Sequence, residues 1–356
     1  MRLRLERSGE ILTIAANPIA RGGEACLYPI IGTELLIAKV YHRPTGDRAM
    51  KLEAMIARPP VDPMSTRGHP SIAWPTERLF TEEEPARFVG YVMPRVDNMR
   101  PVFSFYNPRT RRKTCPLFHY RYLVRTARNL AAAFRALHER GYVVGDVNES
   151  NVLVSETALV TLVDTDSFQV PAEGGVYRCP VGKPEYTPPE LQGVRFREVD
   201  RKPEHDNFGL GVLVFLLLME GTHPFAGRYT GPGDVPPLPD RILAGHFPYS
   251  AMRKGPYEPM STAPPIGLLH PEVRNLVRLC FDHGHANPSE RPTAADWQQA
   301  LDHAENSLTT CKTNPQHVFR TGFGACPWCQ RAERLGFDTY PSKEAVREAL
   351  LASAAS

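Results

Sequence analysis

The sequence predicts an α+β fold in two lobes, a small β-rich lobe over residues 1–96 and a larger helical lobe over residues 97–306, followed by a Cys/His segment over residues 307–356. Three observations carry that reading. Residues 10–41 contain short β-branched and aliphatic runs (ILTI, CLYPII, LLIAKVY) broken by Gly, Pro and Asn, the pattern of a small antiparallel sheet. Beyond Asp97 the chain becomes rich in Ala and Leu at helical spacing, first over residues 122–140 and again over 206–220. A length of 356 residues also exceeds what one hydrophobic core usually holds.

In chain order, the first runs are followed by a helix expected over residues 47–58, ended by Pro59-Pro60. Strands are expected at 73–80 and 87–94, which gives the small lobe five strands and one helix. Residues 227–265 are dense in Pro and Gly without a period and read as an irregular surface insertion, and a last helix is expected at 294–306. There are no internal repeats.

The balance of 42 basic and 39 acidic residues, net +3, makes no case for nucleic acid or an acidic membrane as partner. The start, MRLRLERSGEILTI, lacks the apolar stretch of about 7 to 15 residues of a secretory signal. The longest apolar run, residues 210–219, is too short to span a bilayer, which takes about 20 residues. A soluble cytoplasmic protein is expected, and seven cysteines, an odd number, suit a reducing compartment.

The chemistry concentrates in residues 141–168, GYVVGDVNESNVLVSETALVTLVDTDSF, where Asp146, Asn151 and Asp164 fall on two strand-flanked turns. An Asp there can accept a proton from an attacking hydroxyl. An Asn five residues on can bind a metal, and an Asp thirteen further can bridge metal to phosphate oxygens.

This spacing resembles the catalytic and metal loops of protein kinases, and other motifs of that family follow in its order from about residue 11 to 306. The resemblance implies a bilobal protein kinase-like fold that binds ATP with Mg2+ (or Mn2+). Asp146 would be the base, and Asn151 and Asp164 would hold the metal. Lys39 in LLIAKVY would bind phosphates with Glu53 as its ion-pair partner. Gly22 and Gly23 lie in the turn that would cover the phosphates, although alanines (Ala20 and Ala25) stand for the family's first and third glycines. Residues 91–96, YVMPRV, would be the strand and hinge beside adenine, with Met93 and Val96 at the pocket wall, while a plain core Met is the competing reading for Met93. Residues 182–190, GKPEYTPPE, resemble the end of an activation segment, and Glu190 with Arg291 would form a structural ion pair. The implied reaction is transfer of the γ-phosphoryl group to Ser/Thr hydroxyls of a protein substrate, autophosphorylation included. The alternative is a nucleotide-binding pseudokinase scaffold.

The sequence also departs from the family. Val144-Gly145 replaces the His-Arg that precedes the base, so no arginine is available there to read a phosphate on the activation segment. Asp166 stands where a glycine follows the metal-binding Asp, either as a neighbour of the metal site or, the simpler reading, as a turn residue. The lysine usual two residues after the base is Asn148, and Lys183 stands at the position of a usual threonine. Lys183 is therefore the candidate to offset charge on the transferred group.

Cys311, His317, Cys326 and Cys329 supply four soft or borderline ligands, which suit tetrahedral zinc in a closed, structural site, with free or redox-active thiols, or no site at all, as the other readings. The CPWC ending is similar to that of bacterial kinase-like proteins of tellurite-resistance and stress operons. That likeness implies an associated phosphatase and other stress-operon proteins as partners.

Overall fold

The computed structural model describes residues 1–354. Its first part is one seven-stranded antiparallel sheet. The strands are β1 (Arg2–Leu5), β2 (Ile11–Thr13), β3 (Ala20–Arg21), β4 (Ala25–Pro29), β5 (Leu36–Tyr41), β6 (Glu77–Thr81) and β7 (Phe88–Pro94), in the order β2-β1-β6-β7-β5-β4-β3. Two of these go beyond the sequence expectation. The alternation in RLRL sends Leu3 and Leu5 inward and makes β1 a half-buried strand, and β3 is the short arm of a hairpin with β4. The strand expected at 73–80 begins only at Glu77, because residues 73–76 (AWPT) include Pro75, which has no ladder N–H to donate.

Strand β5, which carries Lys39, lies between β4 and β7. Gly90 on β7 pairs with Val40, and a Cβ there would sit 2.0 Å from the Lys39 carbonyl oxygen, so only glycine lets the two strands close. Helix α1 (Gly46–Ala57) is capped by Thr45, whose side chain accepts from Arg48 N–H, and it buries Leu52 and Met55 beside the sheet.

The helical part begins with β8 (Arg100–Pro101), α2 (Phe103–Tyr106) and α3 (Pro108–Thr114), then α4 (Tyr120–His138). Strand β8 pairs across the chain with β9 (Val152–Val154), and β9 with β10 (Val160–Leu162), in a small sheet β10-β9-β8 that leads into the segment carrying Asp164. The hairpin β11 (Val170–Ala172) and β12 (Gly175–Tyr177) follows. Helix α5 (Pro203–Leu218) is apolar on all sides and buried along almost its whole length, as befits the central post of a helical lobe.

Residues 227–265 are more than an irregular surface insertion. They hold the paired β13 (Arg228–Tyr229) and β14 (Tyr257–Glu258) and helix α6 (Leu238–Leu243), and bury Ile242, Phe247 and Tyr257. Phe247 packs on Phe215 of α5 and on Phe281, so the segment is anchored by its apolar residues between the prolines. Helix α7 (Pro271–Arg278) runs through a π-type turn, Leu279–His283, into α8 (Gly284–Ala286), and α9 (Ala294–Asn306) packs along α4. The chain ends with β15 (Leu308–Thr310), β16 (Val318–Arg320), α10 (Pro327–Leu335) and α11 (Lys343–Ala354). Among the described residues no helix is long and apolar enough to cross a membrane.

Candidate active site

The turn between α4 and β9 is held from below by one carboxylate. Asp206 on α5, 1% exposed, accepts from the backbone N–H groups of Val144 (2.7 Å) and Gly145 (2.8 Å) and lies 3.0 Å from His138 Nε2. This fixes the backbone immediately before Asp146. Gly145 has φ +71°, and a Cβ there would lie 2.8 Å from Cys179 Cβ and 2.9 Å from an Arg201 guanidinium nitrogen, so the position tolerates glycine alone. Asn151 Nδ2 donates to Asp146 Oδ2 (3.1 Å), and the Asn151 carbonyl accepts from Val163 N–H (3.0 Å), which ties the turn to the segment carrying Asp164. Asp164 itself has φ +58°, and its half-exposed carboxylate meets Lys39.

Lys39 completes the cluster. Its Nζ lies 2.6 Å from Asp164 Oδ1 and 2.6 Å from Asp166 Oδ1. The expected partner Glu53 is elsewhere: it is 61% exposed and pairs with Arg78 at 3.2 Å. Asp166, read from the sequence as a turn residue, takes its place. The Asp166 carboxylate is 8% exposed and also accepts from Tyr41 (2.6 Å) and Tyr91 (2.8 Å) hydroxyls. Burial raises its affinity for a proton, but the Lys39 charge and the three donors outweigh it and hold the carboxyl below its usual range. Lys39 is affected in the same sense: burial favours the neutral amine, yet the charges of Asp166 and Asp164 keep its pKa raised.

The helix register explains the exchange. On α1, Arg48 stacks over the Tyr41 ring at 4.6 Å, Leu52 and Met55 are buried, and Lys51 lies on that same inward face, whereas Met50 and Glu53 face out. Lys51, half-buried, thus lies nearer the sheet side of α1 than the exposed Glu53 does. It could have been found from Met55 four residues on, since positions i and i+4 share a face.

Gly22 and Gly23 form the β3–β4 hairpin, closed by Gly22 N–H to Ala25 carbonyl (2.9 Å). An added Cβ would meet nothing within 4 Å at Gly23 and only the Ala25 oxygen at 3.5 Å at Gly22. The protein itself does not require glycine at either position, which leaves the space above the hairpin for a ligand to approach the backbone. Met93 on β7 is buried and packs in the main core opposite Ile37, and Val96 is half-buried beyond the strand's end.

Past β12, the segment carrying Lys183 crosses the turn that carries Asp146. Lys183 Nζ lies 3.1 Å from Glu149 Oε1 and 3.2 Å from Ser150 Oγ, so it reaches that turn but is paired with Glu149 and makes no bond to Asp146. Asn148 is buried and its amide donates to the Asp146 carbonyl (3.1 Å). Glu190 and Arg291 make the expected two-pronged pair at 2.6 and 2.7 Å, with Arg291 fully buried. Arg201 was not anticipated. Its guanidinium fills the space beside Gly145, stacks on Phe196 at 3.9 Å and donates to the Val181 carbonyl, so a cation reaches this segment from the opposite side.

Asp164, Asn151 Oδ1 and the Asp146 carboxylate offer oxygen donors on two adjoining turns. The Asn151 amide nitrogen is spent on Asp146, and among the described residues no donor reaches its Oδ1. This set suits a hard divalent cation. Residues 92–304 match the protein kinase domain.

The chain belongs to the protein kinase family. It is 33% identical over 333 residues to protein kinase YegI of Escherichia coli strain K12, an alignment covering 90% of this chain and 49% of that protein. The chain thus spans about half the length of the curated relatives it matches over most of its own. It is 28% identical over 210 residues to serine/threonine-protein kinase pkn2 of Myxococcus xanthus, covering 56% of this chain and 22% of that protein. A solved ROP18 kinase domain, described as in complex with AMP-PNP and sucrose, superposes with a TM-score of 0.55 at 19% identity, covering 85% and 82% of the two chains. That likeness bears on the fold.

Beyond its kinase fold, this kinase-family chain gathers Cys311, His317, Cys326 and Cys329, whose donor atoms all lie within 4.8 Å of one another. Cys311 and Cys329 sulfurs are 3.7 Å apart, close to the edge of about 3.8 Å expected for a tetrahedron with zinc–sulfur bonds near 2.3 Å. His317 Nε2 lies 2.9 Å from both Asp338 oxygens, so the proton sits there and Nδ1 is left as a lone-pair donor facing Cys329 (3.3 Å) and Cys326 (3.6 Å). Burial raises the Cys311 thiol, but the backbone N–H groups of Asn314 and Thr313 outweigh it and bring it down to about 6.

Proposed function

We propose that this chain is an ATP- and magnesium-dependent protein kinase that transfers the γ-phosphoryl group to Ser or Thr hydroxyls, its own included. The observation that carries the reading is the chain of contacts that joins Lys39, Asp164, Asn151 and Asp146, residues from three segments distant in sequence. Asp146, held by Asn151 and by the Asp206-anchored backbone, is placed to orient a hydroxyl and take its proton. Asn151 and Asp164 would hold the magnesium, and Lys39 the phosphates. Bound ATP and magnesium supply the transferable group and neutralise its charge. Because Asp166 takes Glu53's place beside it, Lys39 stays aimed with no glutamate on α1. Lys183 is placed to approach the transferred group only if it exchanges Glu149 for it. Support for Ser/Thr comes from the likeness to pkn2.

A structural zinc ion would sit in the Cys/His cluster, supported by the donor spacing and by Asp338 behind His317. All seven cysteines are free, which supports a cytoplasmic setting. A phosphatase that reverses the transfer is the partner implied by the likeness of the CPWC ending.

The test is transfer of radiolabelled phosphate from ATP to the chain itself and to a generic protein acceptor. Asp146→Asn is expected to lower the rate by about 10²- to 10⁴-fold while ATP binding persists. Binding without transfer in the parent protein would instead mark a nucleotide-binding scaffold.

A further inference from the structure

Arg201 is a buried cation, 5% exposed, that grips main chain. Among the described residues its guanidinium makes one hydrogen bond, from Nη2 to the Val181 carbonyl, and its Nε, buried as well, meets no acceptor. One face lies over the Phe196 ring, 3.9 Å from the centroid. Nη1 is 2.9 Å from the point that a Cβ on Gly145 would occupy, and Nη2 is 3.2 Å from the same point on Gly182. One side chain therefore touches Gly145, which precedes Asp146, and Val181-Gly182, which precede Lys183. Its own backbone is fixed too. Arg201 N–H donates to Gln169 Oε1 (2.8 Å), and its carbonyl accepts from Gln169 Nε2 (2.7 Å). The main chain of Gln169 pairs in turn with Val143, two residues before Gly145, at 2.8 and 3.2 Å. The guanidinium thus springs from a base tied to the same turn that its far end packs against.

A guanidinium taken from water without a carboxylate is costly to hold. This one sits where two loops must keep their spacing, and the second loop has little else to fix it by modification. Between Asp164 and Glu190 the chain has three Ser or Thr residues, none with a hydroxyl at the surface. Thr165 and Thr187 are buried and donate to the Ala73 and Lys183 carbonyls at 2.8 Å each, and the Ser167 hydroxyl is buried as well. Of the two tyrosines, Tyr186 is buried and Tyr177 is half-buried in β12. We infer that Arg201 is a positioning residue. By binding a main-chain carbonyl it holds residues 181–183 against the turn that carries Asp146, so that the acceptor side of the site is set without a phosphate on residues 165–190.

This inference rests on Asp146 serving the transfer described under the proposed function, and the experiment separates the two. Initial rates of radiolabel transfer to a generic protein acceptor, and ATP affinity by calorimetry, are measured with the full chain. The parent is compared before and after treatment with a broad-specificity phosphatase. Arg201→Ala is compared with and without millimolar guanidinium ion, far below the molar range that denatures. Mass spectrometry of residues 165–190 before and after each assay reports whether that segment carries phosphate. The treated parent, free of phosphate there, should keep its rate within about twofold, since no phosphate orders the segment. Arg201→Ala should turn over at least about tenfold more slowly, because small misplacements near the reacting groups are that costly, while ATP affinity stays within about twofold. Guanidinium, filling the space vacated between Phe196 and Val181, should raise the variant's rate at least about threefold. Sodium chloride at the same concentration should not, and the parent should gain from neither. The inference is overturned, and the kinase reading left standing, by a parent that loses its rate with the phosphate or by a variant that turns over like the parent. A loss that follows ATP affinity down, or that guanidinium leaves untouched, marks a structural arginine and overturns it as well. Should Arg201→Ala fail to fold, Phe196→Ala, which removes only the half-buried ring beneath the guanidinium, is read for the same split between turnover and ATP affinity. Parent-like turnover there, or failure of both variants to fold, also overturns the inference. A parent that transfers nothing defeats both readings.

Discussion

Asp166 shows how one carboxylate can replace a helix's contribution to a cleft. It takes three donors, Lys39, Tyr41 and Tyr91, all on neighbouring strands of one sheet, and thereby fixes the distance between that sheet and the loop that carries Asp164. Its removal would leave a buried ammonium with one partner and two buried hydroxyls with none. Asp166→Ala is expected to lower stability by about 3 kcal/mol, at the low end for a broken buried pair because Asp164 remains. Glu53→Ala, which removes only an exposed pair with Arg78, should change it by less than about 1 kcal/mol. Urea denaturation of the two variants checks this, and equal effects would return Glu53 to the role of lysine partner. That Asp146, Asn151 and Asp164 sit on two strand-flanked turns was legible in the sequence because those turns are local. The partner of Lys39 was not, because a contact between residues 39 and 166 is made by the tertiary fold, and a Glu at a familiar spacing was the only local cue.

At the scale of elements, the same division holds. Strands β4, β5 and β7 and helices α1, α4, α5 and α9 were readable from period and composition, while β1 was overlooked although RLRL alternates plainly. The face that α1 presents was misjudged by two residues, a rotation of about 200° at 3.6 residues per turn, which exchanges inside for outside. Residues 227–265 looked structureless because their buried aromatics are separated by prolines, so no period survives. The turn that carries Asp146 is an element whose shape comes from Asp206 below and from the packing of Arg201 and Cys179 beside Gly145. Gly145→Ala would add a carbon into that packing at a positive φ, so a stability loss of about 1 to 3 kcal/mol is expected, together with at least tenfold slower transfer because Asp146 is the next residue. Thermal melting and the radiolabel assay together check it, and an alanine variant that melts and turns over like the parent would mean the turn is not so confined.

Across the whole molecule, the Cys/His segment is clamped to the helical lobe by a buried charge cluster. Glu220, two residues beyond α5 and 1% exposed in its side chain, binds Arg111 of α3 at 2.9 Å and Arg331 of α10 at 2.9 Å. Trp328 and Tyr340 add aromatic contacts: Trp328 packs on Tyr120 of α4 and on Tyr340, and Arg111 stacks over Tyr340 at 4.5 Å. Cys326 and Cys329 flank Trp328 at the start of α10, so a metal held by the four ligands would set the helix that carries both Trp328 and Arg331. Metal binding and lobe packing are then one equilibrium, because an ion bound only by the folded chain stabilises it by mass action. Purified protein is expected to contain about one zinc per chain, and a strong chelator or Cys326→Ser should lower the melting temperature of a single transition that includes the kinase-like lobes. Glu220→Gln leaves two buried arginines facing a neutral amide, a loss of about 3 to 5 kcal/mol. It should split that transition, with α10 and its metal site melting first while zinc content at low temperature stays near the parent's. Calorimetry with metal analysis reads both quantities. Zinc-free protein that melts no lower than the untreated chain would remove the metal from the fold, and a Glu220→Gln variant that still melts in one step would mean that the aromatic contacts alone couple the segment to the lobe.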